Sequence, residues 1–228
     1  MTTLRPGLPL PPSHMRKLPI DARGYPVPWF VQWVEGEGEA ARPMPPGQGR
    51  PEFRVMDRTK WNRAVREKRC WVCGDKLGSL YAFLIGPMCA VNRVSSEPPS
   101  HLECAEYSAI NCPFMSRPKA QRRDAGLPGG ESDTIGGIAI LRNPGVGLVW
   151  MTKSYKVESD GMGGKVIRIG PPLNLEWFAE GRRATRAEIL ASIESGLPTL
   201  REVALRDGPD GLAALERQVA VALELVPV

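Results

Sequence analysis

Apolar and polar positions recur along this chain in two rhythms, one of strands and one of helices. Pro28-Trp29-Phe30-Val31-Gln32-Trp33-Val34 is aromatic and β-branched and predicts a buried strand. Glu35 to Pro51, rich in Gly, Glu and Pro, predicts a loop or linker, and residues 52–56 predict a short strand. Asp57 then offers an N-cap for a helix over about 58–69. Trp61, Ala64, Val65 and Lys68 share one side of that helix, while Arg58, Asn62, Arg66 and Arg69 dominate another. Farther on, Leu80–Ile85 is apolar and aromatic and is expected to form a hairpin with Met88–Val94.

The second half opens on strands and ends in helices. Ile135–Leu141, Leu148–Val157 and Lys165–Ile169 read as strands, with turn signals at Asn143-Pro144-Gly145 and Ser159-Asp160-Gly161, so a β-meander is the simplest topology. Thr185 and Glu188 form a capping box ahead of an apolar stripe of Ile189, Leu190, Ile193 and Leu197, a helix that Gly196 and Pro198 are expected to end. Thr199 and Glu202 form another box for a short helix ending near Gly208. Asp210 is placed to cap a last helix with Leu212, Leu215, Val219 and Leu223 on its apolar side.

The fold class expected from these elements is α+β, in four parts. Residues 1–24 form a Pro-rich, weakly ordered lead-in, 25–115 a metal-built domain, 116–134 a linker, and 135–228 the meander with its C-terminal helices. The 23 prolines and 24 glycines fit many turns and extended connections rather than a helical bundle. Prolines interrupt the N-terminus where a secretory apolar region would run, and no apolar run approaches a membrane span, so a soluble, cytoplasmic protein is expected.

The cysteines redirect the reading towards chemistry. All five (Cys70, Cys73, Cys89, Cys104 and Cys112) lie in one short window, and an odd, clustered set fits metal binding better than a disulfide framework. Cys70-Trp71-Val72-Cys73-Gly74 is a C-x-x-C-G knuckle, in which the Gly lets the backbone turn so that both sulfurs face inward. Later, Ser100 and Glu103 match a capping box. That predicts a helix with Ser100 as N-cap and places His101 and Cys104 on one face of its first turn. Cys70, Cys73, His101 and Cys104 are therefore the expected ligands of one zinc ion in a closed, structural Cys₃His site. Cys89 is the alternative ligand should His101 not serve, and Cys112 is expected to be a small buried apolar residue. Knuckle, hairpin and a helix giving two ligands from its first turn resemble the treble-clef group of zinc folds, over about residues 68–114 only. The resemblance implies a small zinc module of the kind often used to present a helix or loop to a polyanion or a protein partner.

Charge adds a candidate partner. Residues 50–124 carry 14 Lys/Arg against 8 Asp/Glu, so the positive excess of the chain sits on the cysteine segment and its flanks. Arg58, Arg66 and Arg69 before the site and Arg117, Lys119, Arg122 and Arg123 after it are the expected nucleic-acid contacts, and no catalytic residue is assigned. A protein–protein adaptor or inhibitor of bacterial or phage origin is the alternative. An HNH-type nuclease needs a His base, yet His101 is taken by zinc and His14 lies in the Pro-rich lead-in. A deaminase reading rests on His101-Leu102-Glu103 as H-x-E, but the following P-C-x-x-C is absent. Gly161–Gly164 lies between two expected strands and reads as a hairpin turn rather than a phosphate loop.

Overall fold

The chain is a mixture of helix and sheet in a computed structural model that describes residues 3–117, 143–161 and 163–227. The first sheet is antiparallel, with β1 (Val31–Glu35) between β2 (Arg42–Met44) and β3 (Arg50–Met56). β2 lies inside the stretch expected to be a loop. It is an edge strand, the place in a sheet where a proline such as Pro43 is tolerated. Asp57 caps α1 (Arg58–Glu67) as expected, its carboxylate accepting from the amides of Thr59 (2.9 Å) and Lys60 (3.2 Å). The buried Lys60 ammonium donates to the Val31 carbonyl at 3.1 Å, which fastens α1 to β1. The helix stops before the expected residue 69 because Lys68 turns left-handed (φ +51°) and the Arg69 amide closes back on Ala64.

The second sheet is the frame of the molecule, in the order β10-β9-β6-β4. Its strands are β4 (Tyr81–Ile85), β6 (Gly147–Thr152), β9 (Asn174–Ala179) and β10 (Arg182–Arg183). β4 and β6 pair antiparallel over all five β4 residues, from Tyr81 opposite Thr152 to Ile85 opposite Leu148. The expected border between residues 25–115 and 135–228 thus runs through a single sheet, and the two parts share one core. Side chains alternate across it with period two. Phe83, Ile85, Leu148, Trp150 and Trp177 face the main core with α4 (Arg186–Ala204) and α5 (Gly208–Glu224), and Ala82, Val149 and Phe178 face α3 (Leu102–Asn111). The small Ala82, Ala105 and Ala109 let α3 approach the sheet closely.

Several expected elements form differently. Met88–Val94 makes no hairpin with β4. Gly86 is the N-cap and Pro87 the first residue of α2 (Pro87–Asn92), a position where proline's missing N–H costs nothing. The meander is also interrupted. Lys153 and Ser154 break the expected strand 148–157 into β6 and β7 (Tyr155–Ser159). β7 then pairs with β8 (Lys165–Ile169) across the expected turn, in a third sheet completed by β5 (Val94–Ser95). The strand expected at Ile135–Leu141 lies outside the described residues, as does nearly all of the expected linker.

At the C-terminus α4 (Arg186–Ala204) starts at the expected Thr185/Glu188 capping box but passes Gly196 and Pro198 without ending. A Cβ on Gly196 would come within 2.6 Å of the Met88 sulfur, so this glycine serves the close crossing of α2 and α4 rather than a stop. Thr199 and Glu202 consequently lie inside a helix, not at the head of one. α5 (Gly208–Glu224) follows with Asp207, not Asp210, as N-cap. No helix of the described residues is long and apolar enough to cross a membrane.

Candidate metal centre

The end of α1 delivers the first two ligands. After Lys68 the chain doubles back, with Arg69 bridging Lys76 and the Leu77 amide donating to the Lys68 carbonyl at 2.8 Å. Inside this turn the Cys70 amide donates to the Asp75 carbonyl (2.7 Å) and the Gly74 amide to the Cys70 carbonyl (2.8 Å). Gly74 takes φ +80° with its α-carbon against Trp29. Gly74→Ala keeps every ligand but puts a methyl 2.8 Å from the Trp29 ring. Left-handed backbone and overpacking together are expected to cost about 2–5 kcal/mol. Chemical denaturation checks this, and an unchanged midpoint would refute it.

The other two ligands come from the start of α3. His101 is its N-cap and Cys104 lies in its first turn. The expected capping box does not form, because the Ser100 backbone is committed to the sheet by reciprocal bonds with Ala82 (3.0 and 2.7 Å). The helix therefore begins one residue later, with His101 outside it. Ser100 is buried beside β4, and Glu103 points elsewhere.

Cys70, Cys73, His101 and Cys104 bring their ligand atoms within 4.8 Å of one another. His101 Nδ1 lies 3.4 Å from the Cys73 sulfur and 4.0 Å from that of Cys104. A zinc tetrahedron with Zn–S of about 2.3 Å and Zn–N of about 2.0 Å has N···S edges near 3.5 Å. The Cys70 sulfur also accepts the backbone amides of Cys73 and His101, each at 3.4 Å, donors that stabilise a thiolate. On the far side of the imidazole, Nε2 lies 3.1 Å from the Lys76 carbonyl. A carbonyl only accepts, so Nε2 carries the proton and Nδ1 keeps its lone pair for a metal, an outer-shell contact typical of ligating histidines. All three cysteines are almost fully buried. The four residues fit a metal ion such as zinc.

The same packing is costly without a cation. Burial pushes the Cys70 thiol up, but hydrogen bonds from Cys104, Cys73 and His101 outweigh it and hold the group far below the usual thiol range. Cys104 moves the opposite way, raised by its bonds to Cys70 and Cys73 and by burial. Cys70 and Cys73 raise His101 to about 10. Three thiols at this spacing cannot all ionise unaided, so metal uptake must release protons.

Cys89 and Cys112 stand apart from the cluster. Cys89 rides on α2 against the main core, where burial raises its thiol to about 11, and Cys112 ends α3. Cys112 is half-buried rather than enclosed.

The lead-in is the feature that sequence reasoning missed. It is packed rather than weakly ordered. Met15 and Leu18 are buried against Cys70, Val72, Cys73 and Cys104, and the Tyr107 hydroxyl donates to the Pro9 carbonyl at 3.0 Å. His14 stacks flat on His101, with ring centroids 4.3 Å apart. Its Nδ1 lies 3.3 Å from an Asp75 oxygen and its Nε2 3.3 Å from a Glu103 oxygen, while Lys17 pairs with Asp75. Glu103 thus serves His14 rather than the ligand cluster. Nothing local in a Pro-rich stretch signals this, because the partners lie far along the chain.

The expected nucleic-acid residues separate. Arg58 and Arg66 are exposed on α1, joined by Arg63, which sequence reasoning had not selected. Arg69 is not free, since it donates to Glu67 and to the Gly74 carbonyl and braces the knuckle. Glu67 also takes bonds from Arg63 and Arg66, and the three guanidiniums, Arg69 first, hold its carboxyl down at about 2. Arg117 is exposed beyond α3, and Lys119, Arg122 and Arg123 lie outside the described residues. No protein-family model matches the chain, nor does any curated protein or solved structure.

Proposed function

We propose that the Cys₃His cluster holds a structural zinc ion in a variant of the treble clef, and that the protein binds nucleic acid through the exposed face of α1. The donor set supports zinc, since three soft thiolates and one imidazole in a closed tetrahedron suit it better than hard cations. The element order supports the treble clef from knuckle to ligand helix. Where that fold has a hairpin, the segment after β4 returns to it, past α2 and β5, only at the extended residue Ser100, and the long partner of β4 is the distant β6.

The observation that carries the nucleic-acid reading is the junction of α1 with the knuckle. Arg69 and the Lys68 carbonyl bind the helix end to the metal loop, so Arg58 is presented outward from a braced element, as are Arg63 and Arg66, which share the Glu67 carboxylate. Guanidiniums held this way suit phosphates, and the binding they give is salt-sensitive and largely indifferent to sequence. Binding without catalysis is favoured by the filled ligand set and by His14, whose two nitrogens each face a carboxylate and leave none for a substrate proton.

The test is fluorescence anisotropy of the zinc-loaded protein with single-stranded and duplex DNA and RNA over a salt series. Log affinity should fall linearly with log salt, and Arg63→Ala with Arg66→Ala should each reduce the slope by about 1. Absence of salt-dependent binding to any of these nucleic acids would refute the reading and leave a protein partner in its place.

A further inference from the structure

Outside the metal centre, one cleft joins parts of the chain that are far apart in sequence. One wall is the end of β3 and the start of α1, with Met56, Arg58, Trp61 and Asn62, and the other is the β7–β8 turn with the first residue of β8, at Gly163, Gly164 and Lys165. Its volume is about 220 Å³. Pockets that engulf a whole small-molecule ligand usually run from about 300 to 1,000 Å³, so this one is sized to grip part of something larger.

Its chemistry is cationic and aromatic. Arg58 and Lys165 line the cleft from its two walls, and among the described residues neither forms an ion pair. The acid of the turn, Asp160, accepts the Gly164 amide at 2.8 Å, which helps to hold the turn closed. The Asp57 carboxylate already takes the Thr59 and Lys60 amides at the head of α1, so an anion here is met chiefly by side chains. Trp61 is pinned, because its indole N–H donates to the Ser96 carbonyl at 2.8 Å and fixes the ring that lines the cleft. Asn62 adds an amide able to donate and accept. A Cβ built on Gly163 would meet no atom within 4 Å, so this wall is open backbone that a ligand chain can approach.

We infer that this cleft seats one nucleotide of a single-stranded nucleic acid, its phosphate between Arg58 and Lys165 and its base against Trp61. The inference rests on the nucleic-acid reading and makes it specific. Duplex bases are stacked on their neighbours and cannot reach a ring recessed in a cleft, whereas unpaired bases stack on aromatic side chains with little regard to sequence.

The experiment titrates the zinc-loaded protein with a short oligothymidylate and with a duplex of equal length. The single strand should bind at least about tenfold more tightly than the duplex. Arg58→Glu and Lys165→Glu, exposed residues whose replacement should leave thermal unfolding unchanged, should each weaken single-strand binding by about tenfold or more. In ¹H–¹⁵N spectra the Trp61 indole resonance, assigned with Trp61→Phe, should shift on addition of the oligonucleotide. If Arg63→Ala and Arg66→Ala weaken binding while Lys165→Glu and the Trp61 resonance are silent, the cleft is overturned and the α1 reading survives. Equal affinity for duplex and single strand would also overturn it. Failure to bind any nucleic acid would remove both.

Discussion

Cys70→Ser is expected to yield a chain that neither retains a stoichiometric metal ion nor holds its native fold. Cys70 is fully buried, and its sulfur takes two backbone amides besides facing the other three ligands. Structural zinc contributes roughly 10–16 kcal/mol to the folding of zinc-finger peptides, whereas a whole domain is stable by about 5–15 kcal/mol. Loss of the ion therefore exceeds what the remaining contacts can offset around the knuckle, the lead-in and the start of α3. A strong chelator should act on the unaltered protein in the same way. Metal content by mass spectrometry, near-ultraviolet circular dichroism and dye binding to exposed apolar surface read the outcome. Cys89→Ser is the control, since Cys89 lies on α2 and should leave metal content intact. Full metal content in Cys70→Ser, or its loss in Cys89→Ser, would show that the ligand set is wrong.

The other large effect is expected away from the Cys₃His cluster. Trp150 is wholly buried on β6 opposite Phe83, its indole N–H donates to the Gly170 carbonyl at 3.0 Å, and the Arg93 guanidinium lies 5.7 Å from its ring centre. It therefore ties the frame sheet to the ends of α2 and β8. Trp150→Ala should cost about 3–5 kcal/mol in cavity and lost transfer energy. For a chain of this size that is roughly 6–20 °C in melting temperature. Trp150→Phe fills most of the space and loses the hydrogen bond, so it should cost markedly less. Calorimetry distinguishes the two, and equal losses would show that the indole hydrogen bond rather than packing dominates.

What could be read from the sequence was local. Asp57 as a cap, the C-x-x-C-G turn, the pairing of His101 with Cys104, and the turn between β7 and β8 all depend on residues a few positions apart. The Cys₃His cluster assembles from the four positions that ligand spacing selects. What escaped was set by partners distant in the chain. Ser100 has the side chain of an N-cap, but its backbone is claimed by Ala82. Gly86-Pro87 carries a turn signal and a helix-start signal alike, and only the packing of α2 on α4 and α5 decides between them. Pro198 is tolerated inside α4 because the rest of that helix is held by core contacts of Ile189, Ile193 and Leu197. His14 offered no pattern at all, because the residues that hold it lie at Asp75, His101 and Glu103.

The antiparallel pairing of β4 with β6 bears on the order in which the protein is assembled during synthesis. The ligands span Cys70 to Cys104 and can be drawn together as soon as that stretch is free, since closing a loop of this length is fast compared with translation. β6 begins only at Gly147, so until then β4 presents an unpaired apolar edge on a segment flanked by the two halves of the Cys₃His cluster. A metal ion captured at that stage would steady the segment on either side of β4 before its partner strand exists. A chain made without metal would meet that interval with a loose, sticky strand, so metal supply during expression should govern how much of the protein is recovered in soluble form.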